Sequence, residues 1–201
     1  MLFRSPDGDG DPSDGVDGWR LDVANEIPMP FWHEWCAFVR GINPDAYITG
    51  EIWTRADAWL DGRSFDAVMN YEFAKPAIQW VLNRERRITP SELDRRLAEL
   101  RLAYPSECTY VMQNLIDSHD TDRVASMAMN PDRDYNTLNR EQEVQNYHAG
   151  KPGPEHYRRV RLLALLQMTY VGAPMIWYGT EVGMWGSGDP NNRKPMLWTD
   201  L

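Results

Sequence analysis

The sequence predicts an α/β fold organised around a parallel sheet. Short apolar runs of the kind found in buried strands alternate along the chain with longer segments of helical periodicity. Polar residues gather at the C-terminal ends of these runs, where parallel α/β sheets carry their functional groups. The composition, with 42% hydrophobic and 25% charged residues, is typical of a folded globular chain.

The elements alternate in the order strand, helix, strand, which implies right-handed crossovers and a parallel sheet. The predicted strands are 16–24, 46–53, 65–71, 109–116 and 174–178. The predicted helices are 30–41, 72–83, 90–103 and 154–171. The third helix has the clearest start, because Thr89 and Glu92 fit a capping box with Pro90 at the first helical position.

The number of strands predicts part of a (β/α)8 barrel, since a complete TIM barrel needs eight strands and about 250 residues. Residues 1–15 are rich in Pro, Asp and Gly, and we expect a loop that enters the first strand. Residues 16–201 are expected to be the C-terminal part of the barrel, with no complete second domain. The polar segments 129–150 and 179–201 are predicted to be long loops over a site.

The charge balance excludes some classes of partner. The chain has 30 acidic and 21 basic residues, a net charge of −9, so we expect it to bind neither nucleic acid nor anionic membranes. No apolar run is long enough to span a bilayer, and the first residues do not form the apolar region of a signal peptide. These two observations favour a cytoplasmic protein for this sequence. A secreted or periplasmic protein is the alternative if a signal peptide precedes residue 1.

Ionisable residues lie at four strand ends. In the first, Arg20 and Asp22 are two positions apart and point to the same side of a strand. In the second, Glu51 follows a strand, with Trp53 on the same face. The third and fourth are 114–123, which includes His119 and Asp120, and 172–181, which is followed by Asp189 and Arg193. Cleavage of a glycosidic bond needs such a set, because one carboxylate and one carboxylic acid must flank the scissile bond.

In this order, the four segments resemble the conserved regions of the α-amylase superfamily, glycoside hydrolase family 13. Residues 18–26, Gly-Trp-Arg-Leu-Asp-Val-Ala-Asn-Glu, are most similar to the neopullulanase, cyclomaltodextrinase and maltogenic amylase group. The resemblance implies that Asp22 is the nucleophile, Glu51 the general acid/base and Asp120 the carboxylate that binds the hydroxyls of the distorted sugar ring. It implies substrate contacts for Arg20, His119, Trp53, Asn25, Glu26, Asp189 and Arg193.

The resemblance also implies the place of the chain in the barrel. It assigns the predicted strands to barrel strands 4 to 8, and residues 1–15 to the loop before strand 4. A homodimer is implied as one arrangement of a full-length parent protein. We expect no cofactor. Asp7, Asp9 and Asp11 imitate the start of a calcium loop, but Pro12 stands where such a loop needs Gly, so Asx turns are favoured over calcium.

The sequence therefore predicts a retaining α-glucan hydrolase or transglycosylase. Its expected substrates are α-1,4 bonds, with α-1,6 bonds as a second option, in starch-like oligosaccharides, pullulan or cyclodextrins. Two alternatives stay open. The chain could be a catalytically inactive amylase-like binding or scaffold fragment, or it could serve a sister chemistry such as trehalose or sucrose isomerisation.

Overall fold

The computed structural model describes residues 7, 9, 11–135 and 145–198. Its α-helices are α1 (Met29–Ile42), α2 (Tyr71–Val81), α3 (Pro90–Ala103), α4 (Ser106–Val111), α5 (Val124–Met129) and α6 (Pro154–Thr169). Its strands are β1 (Gly18–Leu21), β2 (Tyr47–Gly50), β3 (Ala67–Val68), β4 (Gln113–Asn114) and β5 (Ala173–Pro174). The chain divides into a first unit, Met1–Asn70 with Arg101–Gln113, and a second unit, Tyr71–Leu100 with Asn114–Leu201.

The first unit contains a three-stranded parallel sheet in the order β1, β2, β3. Leu21 at the end of β1 pairs with Gly50 at the end of β2, and Gly50 pairs in turn with Val68. The predicted parallel pairing is confirmed for these strands. Because parallel strands end at the same edge of a sheet, the residues that follow Leu21 and Gly50 are brought to neighbouring positions.

Helix α1 packs with one apolar face against the segments that flank this sheet. Its buried residues Trp32, Cys36 and Val39 recur at helical spacing. The Trp32 indole nitrogen donates a hydrogen bond of 2.8 Å to the carbonyl of Ala24, and its ring packs edge-to-face on Phe65 with 5.2 Å between centroids. Trp32 therefore fixes the chain that leaves β1 against the body of the first unit.

The second unit is built around α6, which packs against α2 and α5. Strand β5 pairs with β4, and the backbone nitrogen of Met175 donates to the carbonyl of Asn114 at 2.9 Å. The buried Gln167 of α6 donates from Nε2 to the carbonyls of both residues, at 2.8 and 2.9 Å. A polar side chain is stable in this core because its amide donors are satisfied by backbone carbonyls.

Most predicted elements are present with shifted ends. The helix at 90–103 is confirmed in full, and Thr89 Oγ1 accepts a hydrogen bond from the backbone nitrogen of Glu92 at 3.1 Å, as the capping box predicts. The strands are shorter than predicted, and the last one ends at Pro174 rather than running over 174–178. Of the predicted loop 129–150, residues 136–144 lie outside the described residues.

The predicted strand over 109–116 is wrong in its first half. Helix α4 occupies Ser106–Val111, and β4 follows as Gln113–Asn114. The first turn of α4 is closed by a hydrogen bond of 3.1 Å from the backbone nitrogen of Thr109 to the carbonyl of Pro105. A short apolar run has too few residues to distinguish a strand from a helical turn by periodicity alone.

The described part of the acidic loop forms Asx turns, as predicted. The backbone nitrogens of Asp9, Asp11 and Ser13 each donate a hydrogen bond to the carboxylate two residues before them, at 3.1, 2.7 and 2.9 Å. Residues 1–6, 8 and 10 of the predicted loop lie outside the described residues. Among the described residues, none of the helices is long and apolar enough to cross a membrane.

Candidate active site

A single arginine contacts two of the predicted catalytic carboxylates in the first unit. Arg20 Nη1 lies 2.5 Å from Asp22 Oδ1, and Arg20 Nη2 lies 2.5 Å from Glu51 Oε1. The side chain of Glu51 is 4% exposed, whereas that of Asp22 is 73% exposed. The structure thus brings a buried and an open carboxylate together through one guanidinium, whose planar fork suits such a double contact.

The sheet register explains why these residues meet. Asp22 and Glu51 directly follow the paired residues Leu21 and Gly50, and the Glu51 nitrogen extends the ladder by donating to the Leu21 carbonyl at 2.8 Å. A Cβ atom at Gly50 would lie 2.7 Å from the ring of Phe65, so the close packing before Glu51 requires glycine. The sequence signal that predicted the site, polar residues at parallel strand ends, thus has a direct geometric cause.

Val23 turns the chain sharply after Asp22. Its backbone is left-handed, with φ 45° and ψ 45°, a conformation that is costly for a β-branched residue. Its nitrogen faces Glu51 Oε2 at 3.4 Å, and the backbone nitrogen of Ala24 donates to the Glu51 carbonyl at 3.3 Å. The predicted strand 16–24 therefore ends at Leu21, because the turn at Val23 leads into the short 3-10 helix Ala24–Glu26.

The remaining predicted residues of the first unit lie on the loops that follow the same strands. Asn25 and Glu26 are exposed, and Asn25 Nδ2 donates to Glu26 Oε1 at 3.0 Å. Trp53 is half-buried, two residues after Glu51. All three residues therefore lie near the strand ends, and their side chains are exposed or partly exposed.

The predicted residues of the second unit form one polar cluster. His119 Nε2 lies 3.2 Å from Asp120 Oδ2, and Arg193 Nη2 contacts Asp120 Oδ1 at 2.7 Å. Arg193 Nε donates to the His119 carbonyl at 3.0 Å and lies 3.4 Å from Asp189 Oδ1. The His119 ring is 6.0 Å from the ring of Trp177. Residues that are about seventy positions apart in the sequence are therefore assembled around one partly exposed carboxylate.

Two buried ionisable residues beside this cluster, Asp117 and Arg123, were not assigned a site role from the sequence. Asp117 is fully buried, and its Oδ2 accepts from the Val124 nitrogen at 2.9 Å and from Thr180 Oγ1 at 2.7 Å. Burial raises the pKa of Asp117 to about 6, while these hydrogen bonds and the nearby Arg123 oppose the rise. Arg123 is also buried, and burial lowers the pKa of its guanidinium.

Arg123 is held by the segment that follows β5. Its Nη1 donates to the Tyr178 carbonyl at 2.7 Å, and its guanidinium lies 4.8 Å from the centre of the Tyr178 ring. Asp122 is also buried, and its Oδ2 accepts from the Tyr147 hydroxyl at 2.9 Å. A run of acids after an apolar strand gives no signal of which carboxylate points inward.

The described residues of either unit taken alone contain no group of three His, Cys, Asp or Glu side chains placed to share one metal ion. The polar groups at hand are carboxylates, guanidinium groups and one imidazole. A pair of carboxyl groups, one buried and one open, can act as general acid/base and as nucleophile in reactions of sugars. Fold and site thus define a protein of the α/β class with carboxylates at the ends of parallel strands.

Comparison with known proteins gives the family. Residues 12–200 match the model of the alpha amylase catalytic domain, so the chain belongs to the alpha-amylase family. It is 40% identical over 186 residues to neopullulanase 2 from Thermoactinomyces vulgaris. The matched region covers 92% of this chain and 27% of that protein. It is 40% identical over 187 residues to a cyclomaltodextrinase from a Bacillus species, covering 92% of this chain and 28% of the relative. Both relatives are glycoside hydrolases.

Solved structures agree with this assignment. A cyclomaltodextrinase structure matches 92% of this chain and 27% of its own chain, with a TM-score of 0.75 and 37% identity. A cyclic α-maltosyl-(1→6)-maltose hydrolase from Arthrobacter globiformis matches 92% of this chain and 36% of its own, with a TM-score of 0.74 and 32% identity. The chain is therefore a TIM-barrel fragment, and it spans about a quarter of the length of the curated relatives described above.

Proposed function

We propose that this chain carries the catalytic carboxylates of a retaining α-glucan hydrolase or transglycosylase. The observation that carries the proposal is the double contact of Arg20 with Asp22 and Glu51. Because one rigid guanidinium joins them, the two contacting oxygens lie within about 7 Å of each other. This limit accommodates the separation of about 5–5.5 Å between the carboxyl groups of retaining glycosidases, which a double displacement requires.

In the proposed mechanism, the exposed Asp22 attacks the anomeric carbon and forms a covalent glycosyl intermediate. Its side chain is open to a substrate, and Arg20 beside it orients the carboxylate for attack. Glu51 donates a proton to the leaving oxygen and then accepts a proton from water or from a sugar hydroxyl. Water gives hydrolysis, and a sugar hydroxyl gives transglycosylation.

The cluster of the second unit is proposed to bind sugar hydroxyls. Asp120 would accept hydrogen bonds from the ring at the reaction centre, and His119 beside it would donate to the same sugar. Asp189 and Arg193 would contact the next glucose outward. Substrate contacts are also proposed for three residues of the first unit, namely Trp53, Asn25 and Glu26. Trp53 can offer an aromatic face and the other two offer polar groups.

The same proposal extends to the place of the chain in the barrel and to its partners. We assign β1 to β5 to barrel strands 4 to 8, residues 1–15 to the loop before strand 4, and residues 16–201 to the C-terminal part of the catalytic barrel. The substrates are α-glucan oligosaccharides, by analogy with relatives named neopullulanase and cyclomaltodextrinase. The proposed reaction uses no metal or cofactor, and a homodimer is proposed for a full-length parent.

The test is a matched set of carboxylate variants. Asp22→Asn and Glu51→Gln are each expected to lower turnover of maltooligosaccharides, cyclodextrin and pullulan by about 1,000-fold or more, because each removes a group that reacts in the transition state. Asp17→Asn, just before β1, is the control and is expected to keep full activity. Full turnover by Asp22→Asn would refute the mechanism. Binding of maltotriose without any turnover by the unsubstituted protein would instead establish the binding or scaffold alternative.

A further inference from the structure

Asn192 is a buried asparagine that joins two loops of the second unit. It lies in the 3-10 helix Asn191–Arg193, and its side chain points at the turn that carries His119 and Asp120. Asn192 Nδ2 lies 2.6 Å from the carbonyl oxygen of His119, 2.8 Å from that of Thr121 and 3.4 Å from that of Ser118. One amide nitrogen therefore meets three backbone acceptors on both sides of Asp120.

The chemistry of these acceptors fixes the orientation of the amide. A carbonyl oxygen can only accept, so the atom that faces three of them must be the donor nitrogen rather than the amide oxygen. An aspartate at this position would set a carboxylate oxygen against three carbonyls, and an apolar residue would remove the donor that the Thr121 carbonyl accepts from. Asparagine has the right size and supplies N–H donors to the backbone carbonyls of the turn.

The loop that carries Asn192 is itself held firmly in place. A Cβ atom at Gly186 would lie 2.2 Å from the carbonyl oxygen of Asn191, so the backbone of this loop packs too closely for any side chain there. The Trp177 indole nitrogen donates to the Asn192 carbonyl at 3.2 Å. Asn192 thus connects the turn to a closely packed loop.

We propose that Asn192 is a positioning residue, which sets the turn at Ser118–Thr121 so that His119 and Asp120 present their side chains to the sugar. This inference rests on the proposed function. Within the turn, Ser118 Oγ accepts from the Asp120 nitrogen at 3.1 Å, and Thr121 Oγ1 accepts from the Ser118 nitrogen at 2.8 Å. These bonds shape the turn, while Asn192 fixes its place relative to Arg193, which contacts Asp120 directly.

The chain offers a matched control in the neighbouring asparagine. Asn191 lies in the same 3-10 helix, but its Nδ2 donates to Ser187 Oγ at 3.1 Å. Asn192→Ala is expected to lower kcat/KM for maltotriose by about 10- to 100-fold, since small displacements of a positioned group have effects of this size. Asn191→Ala is expected to stay within about 2-fold of the unsubstituted protein. Equal losses in both variants would overturn the proposal.

A double-mutant cycle separates positioning from a general structural role. If Asn192 acts through Asp120, then Asn192→Ala should cost less than about 3-fold when Asp120→Asn is already present. Full additivity of the two losses would show that Asn192 acts elsewhere and would overturn the proposal. If Asn192→Ala does not fold, Asn192→Ser takes its place in the cycle, because serine has one donor where the amide has two.

A readout without substrate distinguishes this proposal from the proposed function. In NMR spectra of the free protein, Asn192→Ala is expected to shift or broaden the ring resonances of His119, with those of His33 unchanged and Asn191→Ala without effect. Unchanged His119 resonances would overturn the positioning role, whatever the activity. Failure of the proposed function would appear separately, as full turnover by Asp22→Asn.

Discussion

Because Asp117 is buried, we predict that its carboxyl group lowers the free energy of unfolding as the pH rises through about 6. Its carboxyl group bonds to the Val124 nitrogen and the Thr180 hydroxyl, and the charged groups that act on it are Arg123 and Glu181. Its pKa is raised from an ordinary value of 3.8 to about 6, mainly because burial disfavours the charged form. Asp117→Asn keeps the shape and an acceptor oxygen, but cannot ionise.

The magnitude follows from linkage between protonation and folding. A rise of about two pKa units corresponds to about 3 kcal/mol, at roughly 1.4 kcal/mol per unit. Between pH 4 and pH 6, the folded protein keeps the Asp117 proton while the unfolded chain has lost it. The contribution of protonated Asp117 to the free energy of unfolding is therefore fully present below about pH 4. It is lost as the pH rises through about 6.

The assay is urea unfolding at a series of pH values from 4 to 8. We expect the unfolding free energy of Asp117→Asn, relative to the unsubstituted protein, to increase by about 3 kcal/mol between pH 4 and pH 7. Asp94→Asn on the exposed face of α3 is the control, and its difference from the unsubstituted protein should be constant. A constant difference for Asp117→Asn as well would refute the reasoning.

Three further predictions concern the backbone, a helix cap and the bridging arginine. Val23→Asn should raise the free energy of unfolding in urea by about 1 kcal/mol, because asparagine tolerates the left-handed backbone at this position. A lower free energy of unfolding would contradict the inference that the Val23 backbone is strained. Thr89→Ala should cost about 1 kcal/mol, because the nitrogen of Glu92 loses its acceptor, and an unchanged melting curve would contradict the cap. Arg20→Lys should lower kcat by about 10- to 100-fold with the protein still folded, since an ammonium cannot match the double contact; full activity would contradict the bridge.

The fold could be predicted where a local signal was complete. Helix α3 has its cap, its proline at the first position and three buried leucines at helical spacing, so its ends were predicted without error. The strand at 109–116 was predicted wrongly, because its apolar residues also suit a helical turn after Pro105. Helix α5 escaped prediction, since its six residues are too few to establish a period.

The site could be predicted as a set of residue types but not as a set of contacts. The pairing of Arg20 with Asp22 follows from strand alternation, and the structure confirms that contact. The contact of Arg20 with Glu51 depends on the register of two strands that no local pattern specifies. The fourth segment likewise gave Arg193 and Asp189, but not the bond from Arg193 to Asp120.

The sequence by itself determined the alternation of strands and helices, the acids at the strand ends and the family that these motifs resemble. Those features depend on residue type and short spacing, which the chain carries locally. Tertiary structure alone decided that Glu51 is buried while Asp22 is open, that Asp117 is enclosed with Arg123, and that Asn192 holds the turn of His119. Burial and long-range hydrogen bonds depend on which distant segments pack together, so they arise only when the chain has folded.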